Sequence, residues 1–278
     1  MSATNHRASF TELVQTGDDD FALDRAALLI AAEEYRELSI ESYLSKLDGL
    51  AERVASRLHS DAGPHETLTR MRAVLVEEEG FSGNTQEYHD PRNSFLNDVL
   101  DRRCGIPIAL STVYMEVGRR IGFCLQGIGF PGHFLIKHCT PSEEIVVDPF
   151  HTGRIMADED LQSQLDTNFG GRIRHEPKLL STITSHQFLF RMLANLKSIY
   201  VRAQDTERAL AAVERMLVLA PENSREHRDR GVLLARLDRP LEALTVLAKY
   251  RELEPDANDA DGVDSLIKQL KVKIGMSN

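Results

Sequence analysis

The chain has 278 residues, of which 42% are hydrophobic and 27% charged, and its formal net charge is −10. This composition is typical of a folded protein of about two domains and excludes a disordered chain. A mean hydropathy of −0.30 and the lack of a long apolar run predict no membrane association. Three cysteines and an N-terminus unlike a secretory leader predict a cytoplasmic location.

The acidic charge is concentrated at the start of the chain. Residues 1–90 contain 18 acidic and 8 basic side chains, whereas the remaining residues are balanced. A nucleic-acid partner requires a basic face for its phosphates, so we expect none. We interpret the acidic excess as the solvent-exposed face of a helical segment.

Residues 1–90 are predicted to form a helical segment that packs on a central domain. Apolar residues recur at helical spacing in residues 21–37, 39–58 and 66–79. A turn-forming sequence at Asp61–Pro64 separates the last two of these helices.

Residues 91–182 have the pattern of an α+β domain. Pro107 suits the first position of a helix, and we expect helices over 93–103 and 107–121. The second helix is apolar around most of its circumference and is therefore predicted to be buried. Segments rich in strand-forming residues follow and predict an antiparallel sheet, over 123–130, 132–139 and 144–150.

Residues 183–278 contain a repeat of 34 residues. Pairs of identical residues have this spacing at Ala209/Ala243, Leu210/Leu244, Leu219/Leu253 and Pro221/Pro255. The period predicts tetratricopeptide-like helices, which commonly present a surface to a protein or peptide partner. We expect helices over about 188–203, 206–219, 224–236, 240–253 and 259–274.

A candidate catalytic group lies in the predicted α+β domain. His133 is at the start of one predicted strand and Asp148 is at the end of the next, so antiparallel pairing would bring them together. An aspartate beside a histidine holds the imidazole in one tautomer, as in hydrolases that use a catalytic triad of nucleophile, histidine and aspartate. Cys104 precedes the predicted buried helix and is the candidate nucleophile, because a helix N-terminus lowers the pKa of a thiol.

Four segments carry a resemblance to a known family: Asn93–Leu100, Arg102–Ser111, Phe130–Phe134 and Val147–Phe150. They resemble the SirB-type family of bacterial proteins, in which a transglutaminase-like core is joined to tetratricopeptide repeats. The resemblance covers roughly residues 20–275 and implies a papain-like α+β core with Cys, His and Asp as the ancestral triad. The residues in these segments that are candidates for lining the pocket are Asn93, Asn97, Pro107 and Ser111.

One position departs from the pattern of active transglutaminase-like proteins, which have the nucleophile in Gly-x-Cys at the start of the core helix. The corresponding segment here is Gly105-Ile106-Pro107, and proline cannot act as a nucleophile. We therefore expect a non-catalytic transglutaminase-like domain whose repeats bind a protein. Two alternatives remain open. The first is a thiol hydrolase or acyltransferase that uses Cys104, His133 and Asp148. The second is a pocket at His133 and Asp148 that binds a ligand or an amide noncovalently.

The sequence predicts no cofactor and no metal site. His133, His138 and His151 are dispersed along the chain, without Cys-x-x-Cys or His-Glu-x-x-His spacing. The glycines at Gly127–Gly129 lie in a predicted strand, so we interpret them as a bulge. Cys124 and Cys139 also lie in apolar strand patterns and are predicted to be packing residues.

Overall fold

The computed structural model describes residues 3–15 and 21–275. The chain divides into two units, Met1–Leu189 and Phe190–Asn278. The first unit combines helices with a small antiparallel sheet, and the second consists of helices. The α+β class predicted for the core and the helical class predicted for the repeats are both present. Residues 1 and 278, the outer bounds of the expected domains, lie outside the described residues.

The helices that precede the central helix of the domain are α1 (Ala3–Val14), α2 (Leu23–Glu34), α3 (Ile40–Ala55), α4 (Pro64–Arg72) and α5 (Leu96–Arg102). A π-helical turn at Ala73–Glu78 extends α4, and a 3-10 turn at Pro91–Asn93 precedes α5. Helix α2 is apolar on most sides and packs against α1, α3 and α5, which explains why most of its residues are buried.

The central helix α6 (Pro107–Arg120) agrees with the predicted helix to within one residue at its C-terminal end. It is almost entirely buried, because its apolar residues surround the helix and it packs against α2, α3 and α5. The polar end of α6 is anchored to α2 by ion pairs from Arg120 and Arg119 to the buried Asp24, at 2.6 and 3.3 Å. Burial opposes ionisation of Asp24, but the hydrogen bond and charge of Arg120 lower the pKa of this carboxyl.

Two groups of strands surround α6. A short parallel pair joins β1 (Ser82–Gly83) to β2 (Cys104–Gly105). The antiparallel sheet has the order β3-β4-β5-β6, with bounds Gln126–Ile128, Leu135–Cys139, Glu144–Asp148 and Arg154–Ile155. Helix α6 packs against β3 and β4.

The sheet also packs against α7 (Asp158–Phe169), a helix that the sequence patterns did not reveal. Leu161 and Leu165 of α7 form one apolar cluster with strand residues on a single face of the sheet, including Ile128, Leu135 and Val146. Residues that alternate with these along the strands, such as Ile136 and Val147, are also buried. Both faces of the sheet are therefore covered.

The strands are shorter than predicted, because the chain turns where the pattern indicated continuous strand. The His133 N–H donates to the Phe130 carbonyl at 3.1 Å, and Gly132 has φ = +68°, so residues 130–133 form a tight turn. His133 therefore precedes β4 instead of starting it.

Gly127–Gly132 has Gly-x-Gly-x-x-Gly spacing, but a strand follows it where a dinucleotide-binding loop requires a helix.

The predicted positions of Cys124 and Cys139 were wrong. Both residues are exposed instead of packed in the core. Cys124 lies in the connection before β3, and Cys139 is the last residue of β4, where the strand meets a polar turn. An apolar pattern at the end of a strand does not bury a side chain when the covering layer stops before it.

The repeat helices lie within one residue of their predicted bounds, except at the start of α8. They are α8 (Ser185–Arg202), α9 (Thr206–Leu219), α10 (Ser224–Arg236), α11 (Pro240–Leu253) and α12 (Ala260–Lys273), with the unit boundary inside α8. Lys197 of α8 donates to Glu226 of α10 at 2.7 and 2.8 Å and to Asp229 at 3.0 Å. Helices α9, α10 and α11 pack against their neighbours in sequence, as in a solenoid.

The Leu110→Ala variant tests the central position of α6. Leu110 is buried, so we expect its truncation to lower the free energy of unfolding by about 2–5 kcal/mol. Leu241→Ala is the matched control, because Leu241 is 62% exposed and its loss is expected to cost less than about 0.5 kcal/mol. Urea denaturation measures both. A loss below about 1 kcal/mol for Leu110→Ala would contradict the position of α6 in the core.

Candidate functional site

The candidate site is built around Asp148, the last residue of β5, whose side chain is completely buried. Its Oδ2 atom lies 2.9 Å from Nε2 of His133 and 2.7 Å from Nδ1 of His151. The hydrogen bond expected between His133 and Asp148 is present. The second imidazole on the same oxygen was not predicted.

The other carboxylate oxygen of Asp148 orders the chain that follows β5. Its Oδ1 accepts hydrogen bonds from the backbone N–H groups of Phe150 and His151, at 3.0 and 3.2 Å. This local capping folds residues 148–151 into a turn and returns His151 towards the carboxylate that precedes it. Asp148 is therefore held by four donors, two from imidazoles and two from the backbone.

The electrostatics of the site favour an ionised Asp148. Burial opposes the charged form, but the hydrogen bond and charge of His133, followed by those of His151, lower the pKa of the Asp148 carboxyl below its ordinary value. A buried carboxylate with this many donors remains ionised at neutral pH.

His133 is held by its turn and by ring contacts. Its side chain is almost fully buried. Its ring lies edge-on to Phe150, with centroids 5.9 Å apart, and 5.6 Å from the ring of His151. The side chain of His151 is 49% exposed, so the pair has one buried and one accessible imidazole.

Cys104 and Pro107 lie on the approach to α6. Cys104 is half-buried in β2, in register with Ser82 of β1, and its thiol forms no hydrogen bond among the residues that the structure describes. Pro107 is buried at the first position of α6. The structure therefore places the sequence-predicted nucleophile next to β1 and shows no hydrogen bond between it and His133.

Besides Pro107, the predicted pocket-lining residues are buried polar groups with different surroundings, namely Asn93, Asn97 and Ser111. Asn93 donates to the Glu87 carbonyl at 2.7 Å and accepts from Asn84 at 3.1 Å, so it fixes the loop after β1. Within the described part of the chain, Oδ1 of Asn97 and Oγ of Ser111 have no hydrogen-bond partner. No described hydrogen bond connects these three residues to the His133–Asp148 pair.

His151 is the site residue that sequence reasoning missed. The sequence feature that could have indicated it is its position three residues after Asp148. An aspartate that caps a turn brings the side chain three residues later back towards its own carboxylate. The ligand atoms of His133, Asp148 and His151 all lie within 4.8 Å of one another, so these side chains are able to hold a metal ion. Asp148 and His151 also line a cavity of about 300 Å³, together with Arg154, Met156, Asp160, Ser163, Gln164 and Thr167.

The fold and the order of the motifs agree with comparisons to known proteins. A family model described as the transglutaminase-like superfamily matches residues 41–194. A tetratricopeptide-repeat model matches residues 196–268. The first match covers more than half of the chain and includes most of the helices before the sheet.

Bacterial relatives match along most of the chain. A UPF0162 protein of Xylella fastidiosa strain 9a5c is 33% identical over 257 residues, which cover 91% of this chain and 92% of that protein. The chain belongs to the UPF0162 (SirB) family. A UPF0162 protein of Vibrio cholerae is 35% identical over 165 residues, covering 59% of this chain and 61% of its own length. Human F-box only protein 21 is 36% identical over 85 residues, which are 31% of this chain and 14% of that protein. No solved structure matches the chain.

None of the described helices combines the length and the hydropathy that a membrane span requires.

The loop after Asp148 is held against α6 by a close contact. Gly153 has φ = +64°, and a Cβ atom built on it would lie 2.1 Å from the hydroxyl oxygen of Tyr114. That hydroxyl is buried, and it has no hydrogen-bond partner within the described residues. Burial, with the nearby charge of Asp148, raises the pKa of Tyr114.

We expect Gly153→Ala to destabilise the protein more than Gly122→Ala. Both glycines have positive φ, so each alanine costs about 1–2 kcal/mol of backbone strain. A Cβ at residue 122 meets no atom within 4 Å, whereas one at residue 153 collides with Tyr114 and adds about 1–3 kcal/mol. Thermal unfolding of the two variants measures the difference. Equal losses would show that Tyr114 does not fix this loop.

Proposed function

We propose that this protein is a cytoplasmic adaptor, with a transglutaminase-like domain that performs no thiol chemistry and repeats that bind a protein partner. The main observation behind the proposal is the buried Pro107 at the first position of α6, where active transglutaminase-like proteins have the nucleophilic cysteine. The cysteines of the described chain form no disulfide, which suits a reducing compartment.

The surroundings of Cys104 support the same conclusion. A thiol nucleophile needs an imidazole within hydrogen-bond reach to remove its proton. No described hydrogen bond joins Cys104 to His133. His133 instead shares Oδ2 of Asp148 with His151. The His133–Asp148 pair then serves to join the turn before β4 to the end of β5.

The repeat unit offers a polar cavity of about 380 Å³ to a partner. Its lining includes Arg228, whose charge is offset by Asp229 and Asp259 at 2.7 and 2.8 Å. Arg225 and Glu254 also line the cavity; Glu254 accepts a hydrogen bond from Ser224, whereas Arg225 is exposed and forms no ion pair within the described residues. An acidic or carboxylate group of the partner is able to pair with Arg225.

Residue-resolved alkylation tests the absence of thiol catalysis. We expect iodoacetamide to modify Cys104 no faster than the exposed Cys124 of the same protein. Pro107→Cys is the positive control, because a thiol at a helix N-terminus has a lowered pKa and is expected to react about tenfold faster. Mass spectrometry of labelled peptides gives each rate. Labelling of Cys104 more than about tenfold faster than that of Cys124, and lost in His133→Gln, would replace this proposal with the enzyme alternative.

Charge reversal on the repeats tests partner binding. In affinity capture from lysate with the full-length chain, we expect the wild type to retain a partner protein that Arg225→Glu does not retain. The reversed charge would repel the acidic group of that partner. Arg36→Glu is the matched control, since Arg36 is exposed in the first unit and forms no ion pair among the described residues. Quantitative capture measures the retained protein. Equal retention by the two variants would contradict binding through this cavity.

A further inference from the structure

The two imidazoles and the carboxylate at the end of β5 have the geometry of a metal-binding group. Nε2 of His133 and Nδ1 of His151 lie 2.9 and 2.7 Å from Oδ2 of Asp148. Zinc binds such atoms at about 2.0–2.2 Å, which places the ligand atoms of a tetrahedral ion about 3.3 Å apart. The two nitrogen–oxygen separations need to lengthen by only about 0.5 Å, and the half-exposed side chain of His151 has room to move.

We propose that His133, Asp148 and His151 bind one zinc-class divalent metal ion. This site is independent of partner binding by the repeats. It also differs from the thiol site of the family pattern, because it uses His151 and does not require a cysteine. Two imidazoles and one carboxylate select zinc and neighbouring transition metals over magnesium and calcium, which prefer oxygen ligands.

Binding requires a defined arrangement of protons. The nitrogens that face Asp148 coordinate only when they carry no proton, so His133 then carries its proton on Nδ1 and His151 on Nε2. Two neutral imidazoles and the ionised Asp148 leave the occupied site with a single positive charge. The negative charge of Asp148, which is itself fully buried, offsets half of the ion's charge.

The backbone supplies the support that a metal-binding carboxylate needs. Oδ1 of Asp148 is fixed by the N–H groups of Phe150 and His151, which leaves Oδ2 to face the imidazoles. Hydrogen bonds of this kind orient ligands and raise the affinity of metal sites. The same two bonds set the position of His151, so the turn organises two of the three ligands.

The adjoining cavity provides a fourth coordination position. It is lined by two of the ligands, Asp148 and His151, and its volume of about 300 Å³ accommodates water or a small anion. Arg154 also lines it, but an ion pair with Asp160 offsets its positive charge. Three protein ligands with an accessible fourth position are typical of zinc sites that bind an exchangeable ligand.

Calorimetric titration with zinc chloride tests the site in full-length protein without a histidine tag, after treatment with a chelator. We expect the wild type to bind about one equivalent, and His151→Gln to bind at least about 100-fold more weakly, because one of the three side chains that bind the ion is lost. His138→Gln is the matched control. His138 lies on β4, stacks on Phe123 and is outside the cluster, so this variant is expected to bind like the wild type. Circular dichroism confirms that both variants fold.

Cobalt(II) absorption identifies the ligands in the same proteins. We expect d–d bands without a strong sulfur charge-transfer band, and we expect them to be unchanged after alkylation of the cysteines. Three results would overturn the proposal: no saturable zinc binding by the wild type, equal affinity in His151→Gln and His138→Gln, or cobalt bands that alkylation removes.

Discussion

The structure of the candidate site depends on one buried carboxylate that satisfies four donors. Without them, Asp148 would be a buried charge with no compensation, which costs several kcal/mol. One imidazole, of His133, comes from the turn before β4. The other, of His151, comes from the turn after β5, which also supplies the two backbone donors. The need to satisfy Asp148 therefore determines where two segments of the chain, residues 130–133 and 148–151, lie relative to each other.

Helix α6 supplies the second constraint, because it packs against β3 and β4 and its Tyr114 contacts the loop after β5 at Gly153. Its first position is occupied by Pro107, whose ring fixes φ and removes an N–H donor that a helix start does not use. Proline is thus well suited to the first position of this buried helix.

Sequence patterns predicted the parts of the fold that depend on long periodic segments. The bounds of α6 and of most repeat helices follow from apolar spacing and from proline positions, which are local properties. Helix α7 was missed because only Leu161 and Leu165 of its residues are buried, too few to create a recognisable stripe. The contact of His151 with Asp148 was missed for a different reason. It depends on the turn that the Asp148 side chain caps, and such a turn produces no periodic pattern in the sequence. Cys124 and Cys139 were assigned to the core because a strand pattern does not show where the covering layer ends.

The exposed positions of those two cysteines have a practical consequence for the isolated protein. Partial burial of the Cys139 sulfur, as the main cause, raises the pKa of this thiol and slows its reaction with air or with disulfides. Both cysteine side chains nevertheless remain accessible to another molecule. Outside a reducing environment, such thiols oxidise and join chains covalently. A dimer observed without reductant would then report on storage conditions and not on a biological assembly.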